Sequence, residues 1–223
     1  MSFFAFDESD DLGSFLRQEL KFFAFIAFII FAFSFIFSWN MGLGFFLLIL
    51  GLPVMTLVLL VGTLIWFIKG LRFTRELAGA HDKAIVSIAA PILCVGTVIV
   101  AWGLFPVGIY LGTMSRLLVN HGRYEAIIAN VQANPKPAWY KEEGGVTYSV
   151  DLGPPVRLAF NPEGFLDNWS GIIYDPTGDV MLARGFDPVT GKFFAPDRVT
   201  KLFEGDLVGC RHLWGSYYDC SFT

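Results

Sequence analysis

Two short stretches of this 223-residue chain hold the side chains with most chemistry to offer. The first is Cys210, His212 and Cys220. Two thiols and an imidazole have three uses: a disulfide, free thiols, or three metal ligands. The Cys-x-His spacing matches no usual zinc signature, and no fourth ligand presents itself. Gly215-Ser216 reads as a hairpin turn between two aromatic-rich strands. Such a hairpin would set residues 210 and 220 face to face near its open end. A Cys210–Cys220 disulfide, formed in an oxidising compartment, is therefore the expectation.

The second stretch is Asn-Pro-Glu-Gly-Phe-Leu-Asp-Asn-Trp-Ser at 161–170. Read as a loop between strands, it suits ligand binding. Glu163 and Asp167 would be a carboxylate pair, Asn168 an amide beside them, and Trp169 a stacking surface for a sugar ring. The plainer reading gives Asp167 and Asn168 local turn hydrogen bonds and places Trp169 in the core of a small domain. Asn168-Trp-Ser170 also forms a glycosylation sequon, which matters only in a eukaryotic secretory pathway.

Other motifs of catalysis or nucleotide binding are missing from the sequence. Gly42-Leu-Gly44 lacks the third glycine of a dinucleotide site, and there is no P-loop, Gly-x-Ser-x-Gly or His-Glu-x-x-His. His81, His121 and His212 fall in different regions, and surface or structural roles are expected for each. No catalytic residue, cofactor or metal is assigned. A net charge of −4 without a basic cluster argues against nucleic acid as a partner.

The elements that must position these groups begin with a membrane region. Only 16% of residues are charged, against about 25% in a soluble domain. The apolar excess lies in the first half. Residues 22–39, 44–68 and 84–114 form three runs without Asp, Glu, Lys or Arg, each long enough to cross a bilayer as a helix. In the first run phenylalanines alternate at 31, 33, 35 and 37, a strand-like period. A lone strand in lipid would leave its backbone unpaired, so a helix is expected there too. Pro53, Pro91 and Pro106 are tolerable kinks. Ala89, Gly96 and Gly103 recur every seven residues, and Gly108 and Gly112 make a Gly-x-x-x-Gly pair. These are expected helix-packing positions, within the chain or against a partner. Spans without ionisable residues argue against a transporter or channel.

Sidedness follows from the basic residues. Arg17 and Lys21 precede the first run, and Lys69, Arg72, Arg75 and Lys83 lie in the 69–83 loop. The loop after the first run has none, while Arg116 and Arg123 weakly oppose the pattern. The balance puts the N-terminus and the 69–83 loop in the cytoplasm and the C-terminal domain outside. Lys69, Arg72 and Arg75 are then expected to touch anionic lipid headgroups. The acidic start lacks the features of a secretory signal, Ser2 excludes myristoylation, and the C-terminal Cys-Ser-Phe-Thr is a poor prenylation site. The short length and missing leader suggest a bacterial inner membrane.

The expected fold is thus three transmembrane α-helices followed by a small α+β extramembrane domain, mostly antiparallel β. Its divisions are residues 1–21, a cytoplasmic segment with an amphipathic helix capped by Asp10 or Asp11; 22–118, the membrane region; and 119–223, a periplasmic domain. In that domain, helices are expected at 124–132 and 197–203. Strands are expected at 146–151 and 156–160, and hairpins at 171–174/180–183 and 207–213/217–222. The expected function is contact with another membrane or periplasmic protein, as an accessory, assembly or immunity-type factor. The alternative is a membrane-tethered enzyme or binding domain for envelope glycan or lipid.

Overall fold

A computed structural model describes residues 12–165, 167–187 and 189–223. Among these, three long apolar helices precede a mostly antiparallel sheet. The helices are α1 (Leu12–Trp39), α2 (Met41–Phe73) and α3 (Ala80–Ala133), all long and apolar enough to span a membrane. This is an integral membrane protein with an attached β domain. Two compact units divide it, the first ending at Gly112 and the second Thr113–Thr223.

In the first unit, α1 is continuous from Leu12 through the alternating phenylalanines, and Asp10 and Asp11 lie outside the described residues. Asn40 caps α2, its side chain accepting the Leu43 N–H at 2.8 Å, so the connection after α1 is a single residue. Pro53, Pro91 and Pro106 all sit inside helices. Aromatic packing ties one end of the unit. Phe15 stacks on Phe73 and meets Trp66 edge-on, with centroids 5.1 and 5.5 Å apart. Phe22, Phe23, Ile26, Val86 and Ala90 complete this cluster.

Small residues set the close approaches. A Cβ on Gly108 would meet the Ser34 hydroxyl and the Phe31 carbonyl, and one on Gly112 would meet Ser38 and the Phe35 carbonyl. The Gly108/Gly112 pair therefore seats α3 on α1 of the same chain. Ser34 and Ser38 turn their hydroxyls back to Phe31 O and Phe35 O (2.8 and 3.0 Å), which keeps these polar groups satisfied in an apolar setting. Gly96 and Gly103 have open space where a Cβ would project, so the seven-residue stripe they share with Ala89 is not the contact line within this unit.

The second unit opens with the last turns of α3, ending at Ala133 just before Asn134-Pro-Lys-Pro. The helix expected at 124–132 is the continuation of α3. Then come β1 (Ala138–Glu143), β2 (Val146–Asp151), β3 (Arg157–Phe165) and β4 (Asn168–Tyr174). After a crossover come β5 (Phe186–Asp187), β6 (Lys192–Phe193) and α4 (Asp197–Thr200). The chain closes with β7 (Lys201–Leu202), β8 (Gly205–Trp214) and β9 (Tyr217–Phe222). Among the described residues, β1-β2-β3-β4-β9-β8-β7 form one antiparallel sheet, and β5-β6 a separate hairpin.

Side chains alternate along each strand, so the sheet has two differently used faces. On one, Phe160 stacks on Tyr124 of α3, centroids 4.1 Å apart. On the other, Ala159, Ile173, Val180, Val199, Leu207 and Phe222 form the core beneath the crossover.

Two local expectations are corrected. Residues 161–170 are not an open loop, because β3 and β4 continue through them as a hairpin. Residues 180–183 are not a strand, because Asp179–Leu182 is a 3₁₀ turn. The cause is Asp175: its Oδ1 accepts from Thr177 N–H and Oγ1–H (3.1 and 2.7 Å), and its Oδ2 from Val180 N–H (3.1 Å). A side chain that captures three donors coils the following segment instead of letting it pair back.

Candidate functional site

One set of polar side chains in the second unit meets where α3 lies against the sheet. Their placement begins with a β-bulge. Between Phe160 and Glu163 the β3–β4 register shifts, Pro162 sits at the irregularity, and Asn161 takes a left-handed backbone (φ 46°). Proline inside a sheet is accommodated at such irregularities, and the bulge re-aims its neighbours. Asn161 consequently faces α3 with both ends. Its carbonyl accepts from Arg116 Nη2 (3.2 Å), and its amide donates to the Tyr124 hydroxyl (2.7 Å). Glu163, just beyond the bulge, takes Arg116 Nη1 at 3.2 Å.

Arg116 is thus a buried cation with internal partners. On the same face Arg211 and Asp219 stand directly opposed on β8 and β9, 2.8 Å apart. Burial pushes the Asp219 carboxyl above the ordinary range, while the charges of Arg211 and Arg116 pull it back.

Further along α3, one oxygen of Glu125 accepts a 2.6 Å hydrogen bond from the Tyr217 hydroxyl. The same oxygen lies 3.5 Å from His121 Nε2. Burial and then the Glu125 carboxylate push the Tyr217 phenol far up, so it holds its proton and acts as donor. Trp214, 52% exposed, has its ring 5.0 Å from that of His121. An accessible indole, an imidazole and a half-exposed carboxylate oriented by a tyrosine make a small recognition surface. It can accept hydrogen bonds, hold a proton and stack on a flat ring.

The four residues expected as a ligand loop do not converge. Glu163 turns to Arg116 on the α3 side. Trp169 belongs to the other face, stacked on Phe222 at 4.0 Å and edge-on to Phe203. Gly164 pairs opposite Trp169 and leaves room for its Cβ. Asp167 and Asn168 are exposed at the hairpin tip.

Cys210 and Cys220 form the disulfide, directly opposed on β8 and β9 with Cα atoms 4.1 Å apart. The pairing removes both thiols as metal ligands or nucleophiles. His212 Nε2 instead lies 2.9 Å from Gly215 O. Among the described residues no group of three His, Cys, Asp or Glu could hold a metal ion.

Of the basic loop, Lys69 and Arg72 occupy the last turns of α2, and Arg75 follows in a turn. Lys69 Nζ lies 5.1 Å from the centre of the Trp66 ring, a cation–π contact, while Arg72 and Arg75 are exposed.

Glu19 was not singled out by sequence. It is 1% exposed, on the α1 face that carries Phe15, Phe22, Phe23 and Ile26, and among the described residues neither carboxylate oxygen has a hydrogen-bond partner. Its spacing from those phenylalanines was the available signal, masked by Arg17, Gln18 and Lys21 around it.

A separate feature is apolar. Met181 and Leu182 on the 3₁₀ turn, Phe186 on β5 and Phe194 after β6 are all exposed, and Val189 at the hairpin turn is 90% exposed. The hairpin is anchored by backbone bonds, Gly185 N–H donating to Val208 O at 2.8 Å and Phe194 N–H to Gly185 O at 2.9 Å.

No protein-family model matches this chain, and neither curated proteins nor solved structures return a match.

Proposed function

We propose that this protein is a small integral protein of a bacterial inner membrane that displays its β domain in the periplasm and acts by contact with another protein. The observation that carries the reading is the β5–β6 hairpin. A hairpin fixed to the sheet by backbone bonds that presents Phe186, Val189 and the following Phe194 to solvent, together with exposed Met181 and Leu182 of the 3₁₀ turn, has the character of an interaction surface. The bilayer is the other partner, through the three apolar helices.

Orientation is supported by two features. The disulfide suits an oxidising compartment. Arg116, which counted against an external domain, is buried and paired with Glu163, so it is not displayed to lipid headgroups.

The test is a photo-crosslinking amino acid at Val189 in intact cells. A discrete band heavier than the protein, reduced by Phe194→Asp, is the expected result. Crosslinks to lipid alone, or none, would overturn the reading.

A second reading, a membrane-tethered enzyme or binding domain for envelope glycan or lipid, is favoured by Trp214, His121 and Glu125 rather than by Glu163, Asp167, Asn168 and Trp169. Quenching of Trp214 fluorescence by a glycan oligosaccharide, lost in Trp214→Phe, would support it.

A further inference from the structure

Between the three membrane helices of the first unit lies a half-open cleft of about 970 Å³. Phe25 and Phe33 of α1, Gly51 and Met55 of α2, and Ala101 and Phe105 of α3 are among its walls. That volume is at the upper end of the range of about 300–1,000 Å³ for small-ligand pockets. We infer that the cleft is a binding site for an acyl chain of a bilayer phospholipid.

The chemistry of the lining selects the occupant. Apart from the Trp102 indole, the only polar side chain on the walls among the described residues is Thr56, and its hydroxyl already donates to Leu52 O at 2.9 Å. A polar ligand entering here would give up hydrogen bonds to water without replacement. Water is excluded for the same reason.

The geometry selects between a flexible chain and a helix. Contacts close the cleft at both ends. Phe22 packs on Gly62 at one end. At the other, Phe37 packs on Gly44, and Gly108 and Gly112 seat on the Phe31 and Phe35 carbonyls. The α1 wall, Phe25 to Ile36, covers about 17 Å of helix rise, against a hydrocarbon core of about 30 Å. A spanning helix from a second copy or a partner, roughly 10 Å across, would meet the cleft walls over only about half of its membrane length, because these contacts draw α1 onto its neighbours at either end. A hydrocarbon chain enters from the side and bends to fit. In a bilayer such chains surround the protein, and dispersion contact with a walled cleft holds one better than a flat helix face does.

The experiment uses the full-length protein in nanodiscs of phosphatidylethanolamine and phosphatidylglycerol. A phospholipid with a photoreactive diazirine midway along one acyl chain is added, and labelled peptides are mapped by mass spectrometry. The expected result is labelling at Met55 and Phe105 about fivefold above that at Leu57, Leu60 and Leu64, which face outward from α2; fivefold corresponds to about 1 kcal/mol of preferential retention. Gly51→Leu, at a position where an added Cβ meets nothing within 4 Å, should fill the cleft and abolish the excess without disturbing the helices. Ala101→Phe should do the same from α3. Intact Cys210–Cys220 and a monodisperse particle report folding of each variant. Uniform labelling of cleft and outer faces would overturn the proposal. So would an excess that survives Gly51→Leu in folded protein.

Discussion

Arg157 Nε and Asp175 Oδ1 lie 3.2 Å apart, and the two side chains are 1% and 0% exposed. Asp175 also takes three donors from the segment after β4, so one carboxylate coils the crossover and faces the guanidinium buried beside it. Asp179 extends the arrangement outward, 3.9 Å from Arg157 and 2.6 Å from Arg198. Asp175→Asn takes the nearer carboxylate from a buried guanidinium and leaves it only Asp179 at 3.9 Å, which costs about 3 kcal/mol. Thermal unfolding of the purified protein in detergent should show that loss. Arg157→Met, which removes the charge itself, should cost less.

The glycine positions separate by what they touch. Gly108→Leu pushes side-chain atoms into the Phe31 carbonyl and should lower stability by about 1–3 kcal/mol. Gly103→Leu, with open space beyond it, should leave unfolding unchanged. If both variants behave alike, α3 does not seat on α1 through Gly108.

Trp169 and Trp214 should differ in kind. Trp169→Ala removes a ring stacked on Phe222 and should destabilise the β domain by about 3 kcal/mol. Trp214→Ala, at an exposed ring, should stay within about 0.5 kcal/mol of the parent. Urea unfolding followed by circular dichroism gives both values.

Opening the Cys210–Cys220 bond removes a cross-strand constraint with a sequence separation of 10. Reduction, or the double change to serine, should cost roughly 2–3 kcal/mol. The β8–β9 register should persist in the reduced protein, as hydrogen exchange would report.

Two carboxylates give opposite pH signatures. The hydrogen bond from Arg198 holds Asp179 below its ordinary value. Its contribution is present above the unfolded pKa, near 4 for an aspartate, and is lost as pH falls through the depressed folded value. Arg198→Met should weaken that acid-side loss, leaving the smaller part due to Arg157. Asp219 is raised, chiefly by burial. Its contribution is present below the unfolded pKa and lost as pH rises through the folded value. Arg211→Met removes one of the charges opposing the rise and should move this loss to higher pH. Carboxyl carbon chemical shifts measured against pH check both signs.

The sequence by itself determined the class of molecule. Lipid acts on each residue separately, so three uncharged runs read as spanning helices without knowledge of their neighbours. The Cys210–Cys220 pair was legible because a two-residue turn at Gly215-Ser216 sets the register of a hairpin locally. The tertiary structure decided what depends on partners distant in sequence. Arg116 reads as one more juxtamembrane charge until Glu163, 47 residues away, is placed beside it. Glu125 and Tyr217 meet across 92 residues, and no spacing rule relates them. Trp169 became a core residue because β3–β4 pairing turned it toward Phe222, whereas the same residue in an open loop would have been a stacking platform. The direction of a side chain in a sheet flips with each residue of register, and a bulge at Asn161 resets it. That is why the elements could be read from the chain, and the faces on which their functional groups meet could not.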